Sequence, residues 1–181
     1  MARWISALRG STMSMGTLED LFMLELKELY DVENKVIDAL PRMAEVVSSA
    51  ELRAALGRHL EVTQRQKDRL IEIFHRLGRE PESIVCEGIR GILEDATMIV
   101  NARGDSVIKD AALIGAAQQV AHYETASYGT VRTFAQVLGW NDIADIIEET
   151  LDEEKLADVE LAQVTTACMN QRAARSAPDV V

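Results

Sequence analysis

Glu33, His59, Glu124, Glu154 and Asp158 are metal-ligand residue types that fall among leucines, isoleucines and valines rather than in polar segments. Carboxylate oxygens with one imidazole suit iron or manganese better than an ion that seeks thiolates. The pattern emerges when each apolar-periodic stretch is projected as a helix at about 100° per residue. Glu25 and Glu33 then lie in the apolar stripe of the first stretch, and His59, Thr63 and Gln66 in that of the second. Glu124 lies in the penultimate stripe, with Glu154 and Asp158 in the last. Depth narrows the set. Hairpins turning near Ser48 and Gly139 put Glu33 level with Thr63 and Glu124 level with Glu154, whereas Glu25 falls level with Glu72. Glu33, Glu124, Glu154 and Asp158 therefore bring negative charge to one layer. The only cations level with them are His59, if protonated, and Lys155 at the stripe's edge. Unpaired buried carboxylates cost several kcal/mol each, so such a layer must take up protons or cations. Two divalent ions would cancel the charge, and bridging carboxylates hold such a pair about 3.5–4 Å apart. A metal-free layer closed by its own hydrogen bonds is the competing reading.

Several other residues look like ligands and are read as surface. Glu72-Ile73-Phe74-His75 has the Glu-x-x-His spacing of di-metal bundles, but both polar residues project opposite Leu52 and Leu70. His122, Glu149, Asp152 and Glu153 also project outward. Cys86 and Cys168 form no Cys-x-x-Cys and no Cys/His cluster, which excludes a zinc site of that kind and a disulfide framework.

The elements that must position the layer are all helical. Thr17-Leu18-Glu19-Asp20 has the form of a capping box before Leu18, Leu21, Phe22, Leu26, Leu29, Val36, Leu40 and Val47. Pro41 is expected to kink this helix without ending it. Ser48-Ser49-Ala50-Glu51 reads as a second box, opening a helix with Leu52, Leu56, Leu60, Leu70, Phe74 and Leu77 on one face and Gly78 at its end. A second hairpin starts near Asp105 and turns at Gly139, with Leu113, Val120, Val131 and Leu138 facing Ile147, Leu151 and Ala162. Residues 79–104 connect the hairpins through a shorter amphipathic segment containing Ile89, Ile92, Leu93, Ala96 and Ile99. The fold class is all-α: an antiparallel four-helix bundle with one long crossover containing a fifth helix, the ferritin-like arrangement. Residues 16–170 form this domain, with 1–15 read as a flexible leader and 171–181 as a flexible tail.

Composition agrees. The 181 residues are 48% hydrophobic and 4% aromatic, enough for one domain with a core. The formal net charge of -11 argues against a nucleic-acid partner. No apolar run approaches the roughly 20 residues that span a bilayer, and no signal peptide is evident, so a cytoplasmic protein without a membrane partner is expected.

A set of motifs then carries a resemblance. Leu29-Tyr30-Asp31-Val32-Glu33, Ala39-Leu40-Pro41, His59-Leu60-Glu61 with Thr63 and Gln66, Asp110-Ala111-Ala112-Leu113-Ile114, His122-Tyr123-Glu124 with Tyr128-Gly129-Thr130, and Leu151-Asp152-Glu153-Glu154-Lys155 together resemble the YciF-type family of bacterial ferritin-like proteins. The resemblance spans residues 15–165. It implies a bundle related in architecture to rubrerythrin, commonly a homodimer, linked to stress responses and carrying a carboxylate-rich di-metal centre. It also implies Glu33, Glu124, Glu154 and Asp158 as ligands, joined by His59. Family members usually carry glutamates where this chain has Val62 and Ala121, so two potential ligands are absent. Two functions fit. In one, iron, or alternatively manganese, as two ions or a single one, meets a small-molecule oxidant such as oxygen or peroxide, with Tyr30, Thr63 and Gln66 orienting the ligands. In the other, the protein is a non-catalytic dimeric stress or interaction protein with a metal-free layer.

Overall fold

The computed structural model of the chain describes residues 15–176, with side chains described through residue 167. It contains α1 (Leu18–Val46), α2 (Ala50–Arg76), α3 (Glu87–Asn101), α4 (Ser106–Val137) and α5 (Asn141–Ser176). Two long hairpins joined by a helical crossover are thus found where periodicity places them. The backbone of α5 stays helical through Ser176, inside the segment read as a tail. Residues 1–14 of the expected leader lie outside the described residues.

Local chemistry sets the helix ends. The Thr17 hydroxyl accepts from the Asp20 N–H at 3.0 Å and the Asp20 carboxylate accepts from the Thr17 N–H at 3.0 Å, completing the first capping box. The second is only half made. Ser49 caps the Leu52 N–H at 3.2 Å, but Glu51 sits one position too early to return the bond and instead accepts from the Ser49 hydroxyl at 2.9 Å. Helix α1 runs through Pro41, whose ring is exposed, and continues to Val46. Gly78 and Gly139 end α2 and α4 with φ of +66° and +78°, a left-handed geometry that side chains disfavour.

The turn between α1 and α2 is tied down from a distance. The buried Asp110 carboxylate of α4 accepts from the Ser48 N–H at 2.9 Å, the Ser49 N–H at 2.8 Å and the Ser48 hydroxyl at 2.6 Å. Asp110→Ala leaves those donors without their charged acceptor and is expected to destabilise the fold by about 2 kcal/mol, read by urea denaturation.

Each helix of the bundle packs on two neighbours: α1 on α2 and α4, and α5 on α2 and α4. Cross-links fix the directions. Glu33 meets Tyr128 while Ser48 meets Asp110, so α1 and α4 are antiparallel. Arg58 meets Glu160 and Arg76 meets Asp142, so α2 and α5 are too. Helix α3 lies over α1 and α4. Its start is anchored by Asp31, which accepts from the Cys86 N–H at 2.8 Å. A Cβ on Gly88 would fall 2.8 Å from Cε2 of Tyr123, so glycine is what lets α3 close down on α4.

Among the described residues the apolar core falls into two parts. One gathers Val36, Leu40, Leu56, Leu113, Val120 and Leu161; the other gathers Phe22, Leu26, Leu70, Phe74, Val131 and Ile147. Glu33, Gln66, Glu124 and Glu154 lie along their helices between residues of the two parts, so the acids form a polar layer across the middle of the bundle. Ala162, expected on the inner face of α5, is exposed, and Leu161 is buried instead. The buried set Ile143, Ile147, Thr150, Glu154 and Leu161 follows a 3.5-residue seam, as helices wrapped in a bundle do, and a straight 3.6-residue projection drifts away from it.

Candidate metal centre

Glu33, Glu124 and Glu154 are fully buried and His59 nearly so. Each of His59, Glu124 and Glu154 offers one ligand atom within 4.8 Å of the others, forming a buried His/Glu/Glu group able to hold a metal ion. His59 Nε2 lies 3.7 Å from Glu154 Oε2, too long for a hydrogen bond. That separation suits two donors each about 2.1 Å from one ion. Neither nitrogen of His59 has a hydrogen-bond partner among the described residues, and the Glu124 carboxyl and Glu154 Oε2 meet no donor beyond each other's carboxyl groups. Strong donors and acceptors without partners in a dry interior are what a cation would satisfy, so the residues fit a metal.

Glu33 reaches the same layer on different terms. Its Oε1 accepts from the buried Tyr128 hydroxyl, and its Oε2 has no partner. Gln66 donates to Glu154 Oε1 at 2.6 Å, as an orienting residue should. The other two expected orienters do not act this way. The Thr63 hydroxyl bonds the His59 carbonyl at 2.9 Å, and Tyr30 stacks edge-on against Phe74 beneath Lys67. Tyr128 was legible only as part of the Tyr128-Gly129-Thr130 motif. Its place one turn beyond Glu124 was the available signal.

Asp158 is not brought into the layer. It is half-buried at the α4–α5 edge, with Oδ1 3.1 Å from His122 Nε2 and accepting from Gln118 at 3.1 Å. After Glu154 the 3.5-residue seam runs on to Leu161, leaving Asp158 on its flank. The outward assignments of Glu72, His75 and His122 hold, since all are exposed. Glu72→Ala and His75→Ala are accordingly expected to leave metal content unchanged in elemental analysis.

Burial pushes the Glu33 carboxyl well above its usual range, with the Glu154 charge adding to the effect and the Tyr128 hydrogen bond opposing it. Burial, then the charges of Glu154 and Glu33, raise Glu124 in the same direction. Burial and the adjacent Glu33 raise the Tyr128 hydroxyl. Lys155 is exposed and paired with Asp152. The cation nearest in effect is Arg69, which projection did not single out. Its guanidinium grips the half-buried Glu153 at 2.6 and 2.9 Å, so Glu153 does not simply face solvent and Arg69 does not neutralise the layer.

A family model described as Domain of unknown function (DUF892) matches residues 17–174. The chain belongs to the DUF892 family. Protein YciF of Escherichia coli (strain K12), a relative of this DUF892 chain, is 35% identical over 166 residues, covering 91% of this chain and 100% of that protein. The crystal structure of the E. coli stress protein YciF matches with a TM-score of 0.83 at 35% identity, over 86% of this chain and 99% of that one. YcfI from Rhodopseudomonas palustris matches with a TM-score of 0.82 at 36% identity, over 84% and 98%. A two-domain protein of Anabaena variabilis, containing DJ-1/ThiJ/PfpI-like and ferritin-like domains, matches at 16% identity with a TM-score of 0.56, over 91% of this chain and 40% of that one. That last likeness is of fold alone. The DUF892 chain has the ferritin-like helical fold, and among its described residues no helix is long and apolar enough to cross a membrane.

Proposed function

We propose that this chain is a stress-associated metalloprotein whose bundle centre holds iron, or alternatively manganese, and handles oxygen or peroxide. The observation that carries the reading is the buried group of His59, Glu124 and Glu154 with unpartnered donor atoms turned toward one another. When bound, such an ion supplies electron transfer toward an oxidant, which no side chain of the layer supplies by itself. The chain's own residues hold and shape the site. His59, Glu124 and Glu154 would be the ligands, and Gln66 keeps the Glu154 carboxylate turned by its 2.6 Å hydrogen bond. Tyr128 holds Glu33 in the same layer, and the apolar parts of the core above and below exclude water. Glu33, whose Oε2 has no partner, would be a further carboxylate ligand should two ions be held. The stress association rests on likeness to the E. coli stress protein YciF.

A metal-free structural layer is the second reading, favoured by the hydrogen bonds that Gln66 and Tyr128 already make to two of the acids. Elemental analysis of protein purified without a metal-binding tag decides between them. At least one iron or manganese per chain, lost in Glu154→Ala, is expected. Protein that holds no ion as purified and takes up none on reconstitution, with stability indifferent to chelator, would establish the structural reading.

A further inference from the structure

A groove of about 610 Å³ lies where α1 begins, between that helix and residues 79–84 of the crossover. Its volume falls within the roughly 300–1,000 Å³ of ligand pockets. Met23 and Leu24 line it from α1 and Pro81 and Ile84 from the crossover, with the buried Phe74 also among its walls. Met23, Leu24, Pro81 and Ile84 are half-buried, so part of this apolar surface faces water. The two sides are tied together: the Ile84 N–H donates to the Lys27 carbonyl at 3.3 Å, and Lys27 pairs with Glu82. The charges do not balance. Glu19, Asp20, Glu80 and Glu82 stand against Lys27 and Arg79, an excess of two negative charges. Lys27 is held by Glu82, and the Asp20 carboxylate accepts from the Gly16 and Thr17 N–H groups at 3.1 and 3.0 Å. That leaves Glu19 and Glu80 against the single charge of Arg79. Such a groove suits an occupant that is cationic with an apolar body.

Residues 1–14 have that chemistry. They carry Arg3 and Arg9 and no acid, with Trp4, Ile5 and Leu8 between the two arginines. The bonds from Gly16 and Thr17 to Asp20 also hold the chain's entry into α1 against the groove's own rim. From Glu19 to Lys27 the groove runs about 12 Å along α1, and fourteen residues can reach about 45 Å. The segment is thus long enough to reverse at Gly10-Ser11, residue types that favour turns, and lie back along α1. Tethering so close by gives it an effective concentration of the order of millimolar, an advantage no separate molecule has. The DUF892 match starts at residue 17, so the segment lies outside the shared domain. We propose that residues 1–14 dock in this groove of their own chain. Trp4, Ile5 and Leu8 pack on Met23, Leu24 and Ile84, and Arg3 and Arg9 meet Glu19 and Glu80. The docked segment clasps the crossover to α1 and covers the Phe22 and Phe74 part of the core. It does not depend on the metal reading, since Phe74 lies about 22 Å along α2 from His59.

The test uses the full chain in solution NMR. Nuclear Overhauser contacts are expected from the Trp4 indole and the Leu8 methyls to the methyls of Met23, Leu24 and Ile84. The Trp4 indole N–H should resonate away from its position in a synthetic peptide of residues 1–14, and its place between docked and free values reads the docking equilibrium. Glu19→Lys with Glu80→Lys, both at exposed positions, should lower that equilibrium constant by about tenfold. Adding Arg3→Glu and Arg9→Glu should restore it. Trp4→Ser with Leu8→Ser should move the Met23, Leu24 and Ile84 methyl resonances and leave those of Val62 and Leu156, on the α2–α5 side, in place. An indole at the free peptide's position in the parent chain, Trp4 contacts to another surface, or a docking constant indifferent to charge reversal would overturn the proposal. So would contacts that pass only between copies in a mixture of labelled and unlabelled chains, since the groove's occupant would then be a second molecule. Ions per chain should be the same in all these variants.

Discussion

Replacing Glu124 with glutamine is expected to abolish metal binding and, at the same time, to make the metal-free protein more stable at neutral pH. The Glu124 carboxyl meets no donor beyond the Glu154 carboxyl, the side chain is fully buried, and the charges of Glu154 and Glu33 act on it. An ionised carboxylate there gains nothing from the apo fold and is costly to keep dry. Glutamine keeps the shape and removes the charge. It also brings an amide N–H₂ that can donate toward Glu154 Oε2, itself without a partner. Relief of a buried uncompensated charge of this kind is worth about 1–3 kcal/mol. The ligand group meanwhile loses one of its two carboxylates, which hard divalent ions prefer over a neutral amide oxygen. Urea unfolding at pH 7 in chelator reads the first effect, and ions per chain the second. A metal-free Glu124→Gln protein less stable than its parent would mean that the carboxyl donates a hydrogen bond in the apo fold, and the case for a missing cation would weaken.

What a helical projection of the sequence recovers, and what it loses, follows from how local the determining contacts are. The helices were legible because caps and apolar periods are local: Thr17 with Asp20, and Gly78 and Gly139 at positive φ, announce their ends within a few residues. Glu33, Glu124 and Glu154 were legible because each is a charged residue in an apolar stripe near the level of its partners, so small errors of rotation did not matter. Asp158 and Ala162 were misplaced because they come late in α5, where a 3.6-residue projection has drifted from the 3.5-residue seam. Arg69 and Tyr128 were missed for another reason. Arg69 acts through its long reach to Glu153, and Tyr128 reads as a core aromatic until its hydroxyl is seen against Glu33. Periodicity gives a side chain's direction from its helix but says nothing of its length or of which neighbour its polar tip will meet. The Asp110 bonds to the turn at Ser48 and Ser49 belong to the same class, since they join residues far apart in sequence.

Metal-free protein is expected to lose stability as pH rises from mildly acidic to neutral, the reverse of the usual behaviour of acidic proteins leaving acid. In the unfolded chain the carboxyls of Glu33 and Glu124 ionise near their ordinary value of about 4.3. In the fold, burial and neighbouring acids hold both well above it. Between those two values the fold retains protons that the unfolded chain has shed. Stability then falls by about 1.4 kcal/mol per pH unit for each such carboxyl. Their contribution is complete below the unfolded value and disappears as pH passes through the folded one. Asp158 works in the opposite sense: burial would raise it, but the bonds from His122 and Gln118 hold it below its usual range, so its contribution is lost in acid. The buried pair is therefore isolated by difference, comparing urea unfolding of the parent and of Glu33→Gln/Glu124→Gln from pH 4 to 8 in chelator. The parent should fall relative to the variant as pH rises. Bound metal should remove the fall, because the ion takes the ionised carboxylate and its binding releases protons in this window. A parent that gains on the double variant over the same range would show both acids ionised and compensated within the apo fold, leaving no charge for a cation to answer.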